Sequence, residues 1–74
     1  MSPKLPLLSG AAIVAILERA GFTHVSTRGS HAKLRDAGGR TAIVPLHREV
    51  ARGTLASILR QAGLTMDEFL GLLG

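Results

Sequence analysis

Apolar side chains recur three and four residues apart at Ile13, Ile16, Leu17 and Ala20, the spacing that lines one face of an α-helix. Ser9 precedes them as a good N-cap, and Leu8 with Ile13 is placed for a hydrophobic staple. Gly21 supplies the left-handed residue that closes a helix. A first helix is therefore predicted from about residue 10 to 20. The pattern then changes. Phe22 to Arg28 is β-branched and alternating, which predicts a first strand. Gly29-Ser30 is a tight connection, His31 to Asp36 a second strand, and Ala37-Gly38-Gly39 a turn. Arg40 to Val44 completes an antiparallel meander that Pro45 ends.

The remainder returns to helical spacing. Leu46 to Arg52 is a polar loop carrying His47, Arg48 and Glu49. From Gly53 or Thr54 a second helix is expected, with Leu55, Ile58, Leu59 and Ala62 on one face and Gly63 as its stop. Thr65-Met66-Asp67-Glu68 is a capping box and Leu64 with Phe69 its staple, so a short third helix follows to about Leu73. The stretch from Ile16 to Thr23 echoes that from Ile58 to Thr65, but a strand follows one and a helix the other. The echo reads as two helices stopped by one glycine device, not as a repeat.

Helix, three strands, helix and a small tail helix predict a two-layer α+β domain covering residues 1–74, with residues 1–8 as a short arm that Pro3 and Pro6 keep out of a helix. The helices cover one face of the sheet and leave the other free. A domain of 74 residues buries only about 60% of its unfolded surface, so its stability margin is thin. There is no cysteine to supplement it, which fits a reduced, cytoplasmic setting. The longest apolar run, Ala11 to Leu17, is far short of the roughly 20 residues a membrane span needs. Lys4 between two prolines does not make a secretory signal.

Nine Lys and Arg against five Asp and Glu give a net charge of +4, which suits a polyanionic partner, nucleic acid or acidic protein. Position says more than the total. Arg28, Lys33, Arg35 and Arg40 lie close together against a single acid, Asp36. With Phe22 and Phe69 the only aromatics, base stacking on a sheet is not the mode of recognition. Side chains alternate along a strand, so His31, Lys33 and Arg35 share one face while Ala32 and Leu34 point to the core. Their heads stand about 6–7 Å apart, of the order of the step between neighbouring phosphates on one strand.

At this point the residues resemble a known family. Leu8-Ser9-Gly10, Gly21-Phe22, Arg28-Gly29-Ser30-His31, Val44-Pro45-Leu46-His47 and the run from Gly53 to Leu64 are similar to the HicA (YcfA-like) mRNA interferase toxins, over roughly residues 4 to 73. The resemblance implies a fold like the double-stranded-RNA-binding domain. It implies a type II toxin–antitoxin pair, a HicB antitoxin that neutralises the toxin, and mRNA cleavage by the histidine of the Gly-Ser-His motif, here His31. Many relatives carry bulkier or further polar residues after that histidine, where this chain has Ala32.

The residues themselves support metal-independent chemistry. RNA carries its own nucleophile, the 2′-hydroxyl, and a neutral imidazole accepts its proton near neutral pH. Lys33, Arg35 and Arg28 are candidates to stabilise charge on the phosphoryl oxygens. Gly29 is either a simple hairpin glycine or the place where RNA approaches the backbone; Ser30 fixes the turn rather than acting as nucleophile. One histidine cannot be base and acid at once, so the leaving group takes its proton from water, Lys33 or an unassigned residue. His47 and Arg40 are secondary candidates. Three histidines spread this widely, without cysteine, do not predict a metal site, and no cofactor is expected. The toxin is expected to be a monomer alone or a hetero-oligomer with its antitoxin. Two rival readings are a non-catalytic RNA-binding module on the same fold and a basic face that pairs with an acidic protein.

Overall fold

The computed structural model describes residues 7–73. Six elements follow in order: α1 (Gly10–Arg19), β1 (Thr23–Arg28), β2 (His31–Arg35), β3 (Thr41–Pro45), α2 (Arg52–Ala62) and α3 (Met66–Gly71). The strands form one antiparallel sheet in the order β1-β2-β3. This is the α+β arrangement that the sequence predicts. Of the expected arm, residues 1–6 lie outside the described residues, and Leu8 is held in an antiparallel bridge to Val50.

The helix ends carry the devices expected of them. The Ser9 hydroxyl accepts from the Ala12 amide at 3.1 Å and opens α1. Gly21 adopts φ +100° beyond its end, with Phe22 N–H donating to Leu17 O and Gly21 N–H to Glu18 O. Gly63, at φ +70°, ends α2 with the same pair of bonds, from Leu64 to Leu59 and from Gly63 to Arg60. Both sets satisfy otherwise orphaned carbonyls. The capping box of α3 is closed at both ends: Glu68 N–H donates to the Thr65 hydroxyl, and Thr65 N–H donates to Glu68 Oε1. The start of α2 differs by a residue or two from expectation. Ala51 stands at its N-cap with no side-chain bond, so no residue type announces it.

The core lies between the helices and one face of β2 and β3. Ala32 and Leu34 from β2 and Ala42 and Val44 from β3 are fully buried. Ile13, Ile16 and Leu17 of α1, Leu55, Ile58, Leu59 and Ala62 of α2, and Phe69 of α3 join them. No polar or charged side chain among the described residues is buried. Strand β1 departs from what its alternation suggests, because all six of its residues are exposed. It is an edge strand that contributes no side chain to the core. Its register slips between His24 and Ser26, and the His24 ring bonds within that bulge to Ser26 O and to Thr27 Oγ1. A bulge discourages further strands from pairing with such an edge.

Candidate functional site

The site begins with a turn. Arg28 and His31 are directly paired across the β1–β2 hairpin, leaving only Gly29 and Ser30 to reverse the chain. Gly29 has φ +59°, and no non-glycine residue among those described has positive φ. That is the sign pattern of a type II′ turn, which requires glycine at its first central position. A side chain at Gly29 would meet nothing within 4 Å, so the requirement lies in the backbone alone.

From the turn the register is regular, and residues opposite one another share a face. Ser26 pairs with Lys33 and Arg28 with His31; on the other side Lys33 pairs with Ile43 and His31 with Pro45. Ser26, Arg28, His31, Lys33 and Ile43 line a concave pocket of about 360 Å³ on the face away from the helices. His31 is exposed and Lys33 half-buried. Of the histidine and cations named from the sequence, His31, Lys33 and Arg28 line the pocket together.

The other sequence candidates fall in different places. Gly29 and Ser30 form the turn at the pocket's rim. Arg35 stays on the outer face but at the far end of β2, beside Thr23 and Thr41, about 13 Å along the strand from His31. It does not line the pocket, and its Nε contacts Thr41 Oγ1 at 3.5 Å. Arg40 belongs to the opposite end of the molecule. Its guanidinium stands 3.9 Å from Asp36 and lies over Gly63 at the end of α2.

His47 comes closer to the site than its position in a polar loop suggests. Its ring centroid is 6.4 Å from that of His31, with the planes 67° apart. The loop is tied there by backbone. Leu46 N–H donates to Ser30 O at 2.6 Å, Gly10 N–H donates to His47 O at 2.9 Å, and Val50 N–H donates to Leu8 O at 2.7 Å. Gly10 is buried, and a Cβ on it would collide with the Pro45 carbonyl and come within 2.7 Å of Leu46 Cα. The stretches around Gly10, Ser30 and His47 therefore meet at one point. Neither imidazole hydrogen-bonds to another described residue, so both rings are available to a ligand. Among the described residues no three His, Asp or Glu side chains gather as metal ligands.

No helix among the described residues is long and apolar enough to cross a membrane. No curated protein matches the chain closely enough to count as a relative. The family of HicA toxins of bacterial toxin–antitoxin systems matches residues 10–64, a span that runs from the glycine under the His47 loop to the residue after the α2 stop. The chain belongs to the HicA toxin family.

Proposed function

We propose that this toxin is an endoribonuclease that cuts mRNA through the RNA's own 2′-hydroxyl, with His31 as the general base. The observation that carries this reading is the exposed His31 imidazole in a pocket shared with Arg28 and Lys33. The imidazole takes the proton of the 2′-hydroxyl, and the oxygen attacks the adjacent phosphorus. The bond to the 5′-oxygen breaks, leaving a 2′,3′-cyclic phosphate and a 5′-hydroxyl end. Arg28 and Lys33 stabilise the charge that builds on the phosphoryl oxygens, and Arg35 extends the cationic track along β2. The Gly29-Ser30 turn holds His31 at the rim. DNA is not a substrate, because it lacks the nucleophile. A HicB antitoxin neutralises the toxin by covering this face with acidic or apolar groups, which removes both access and exposed charge.

The test compares the wild type with His31→Ala on RNA and on DNA of matched sequence. Cleavage of RNA alone, ending in cyclic phosphate and abolished in the variant without loss of fold, is expected. Cleavage that survives His31→Ala would overturn the assignment. Retained RNA affinity with no products from the wild type would instead make the chain a non-catalytic RNA-binding module.

A further inference from the structure

We infer that His47 is the general acid of this site, protonating the 5′-oxygen as it leaves; this rests on the reading of His31 as base. A transesterification at phosphorus needs two proton transfers on opposite sides of the phosphoryl group. His31 on β2 lines the pocket, and the His47 ring, outside that lining and carried by a different segment, stands 6.4 Å from it with the planes at 67°. That separation is too long for a hydrogen bond between the rings. It lets both rings reach the oxygens of one phosphodiester, each at about 2.6–3.2 Å.

Lys33 is the rival donor within the pocket. An aliphatic ammonium holds its proton until well above neutral pH, whereas an imidazolium releases it near neutrality. General-acid efficiency favours the second. The placement of His47 is also built rather than incidental. Its own carbonyl is bonded to Gly10, the preceding amide is bonded to Ser30 next to His31, and the chain cannot pass there unless residue 10 lacks a side chain. Such fixing of an exposed loop residue against the base supplies the orientation that proton transfer requires.

The step balances without a further reactant. The 2′-hydroxyl proton passes to His31, a bond forms between the 2′-oxygen and phosphorus, the bond from phosphorus to the 5′-oxygen breaks, and the departing oxygen takes the proton of His47. Exchange with water restores both rings. The charged groups around the pair are Arg28 on β1, Lys33 on β2, and Arg48 and Glu49 next to His47 in its loop.

The test uses two substrates whose leaving groups differ. One is a short RNA, whose 5′-alkoxide needs a proton; the other is a ribonucleoside 3′-(4-nitrophenyl) phosphate, whose phenolate leaves without one. His47→Gln should slow RNA cleavage by about 10²–10⁴-fold, while the aryl ester is turned over near the wild-type rate. His31→Gln should lose activity on both. His47 is exposed, so the variant is expected to fold, and unfolding midpoints check that; His47→Asn provides a second variant. If His47→Gln cuts RNA at the wild-type rate, or loses both substrates equally, His47 is not the acid, and the role of His31 stands. If His31→Gln remains active on the aryl ester, the base assignment falls first and this inference with it.

Discussion

Two glycines support the site for opposite physical reasons. Gly29 is required for its backbone: φ +59° is available to glycine, and open space surrounds it. Gly10 is required for its volume, since its missing Cβ is the gap through which the Pro45–His47 segment passes. Gly29→Ala is expected to destabilise the fold by about 1–3 kcal/mol, the cost of holding an alanine at positive φ in such a turn, read as a lowered urea midpoint. An unchanged midpoint would mean that the turn can relax into another type. Gly29-Ser30-His31 was legible in the sequence because a two-residue hairpin has few chemical solutions. The nearness of His47 was not, since it depends on bonds from Gly10 and Leu46 to residues far off in the chain. One signal did exist. Counting the β2–β3 pairing outward from the turn places Pro45 opposite His31, and His47 two residues beyond.

The elements differ in how plainly they announce themselves. Both glycine stops, the Ser9 cap and the Thr65 capping box are local devices, and each stands where its residues place it. The exposure of β1 and the bare start of α2 are tertiary outcomes with no local signature. Residue spacing also misleads about Arg40. It is close in sequence to the basic strand, but the Asp36–Gly39 turn carries it to the far end of the hairpin. Two predictions belong here. Gly10→Ala must push the Pro45–His47 segment off α1, so RNA cleavage should fall at least tenfold if the loop positions a catalytic group. Activity equal to wild type at unchanged stability would show that the loop is not needed in place. In α3, the Thr65 backbone N–H and then the Thr65 hydroxyl hold the Glu68 carboxyl below its ordinary range, with the charge of Arg40 adding to them. A carboxyl lowered in the folded state contributes stability that is fully present above its unfolded pKa and is lost as pH falls through the folded one. Glu68→Gln should therefore lose less of its urea midpoint than the wild type between neutral and acidic pH. Parallel pH dependences would show that the capping box carries no such linkage.

For the molecule as a whole, the question is whether net charge or its placement drives binding. A charge of +4 attracts any polyanion, and on that account every cation counts alike. The fold separates them. Arg28 and Lys33 line the pocket and Arg35 continues their face, whereas Arg40 faces Asp36, four residues before it, at the turn between β2 and β3, and Arg19 bonds to the Leu72 carbonyl at the end of α3. Each phosphate neutralised by a cation releases counterions and adds about 0.7 to the slope of log affinity against log salt for a single strand. Three cations on one face give a slope of about −2 by that rule. Measured on His31→Ala, which on the proposed function is expected to hold RNA without cutting it, the slope should flatten by about 0.7 when Lys33→Gln is added. Adding Arg40→Gln instead should leave it unchanged, although both substitutions remove one positive charge. Equal flattening by the two would show that RNA reads the total charge of the chain and not the outer face of its sheet, and the pocket would lose its claim to be where the phosphates sit.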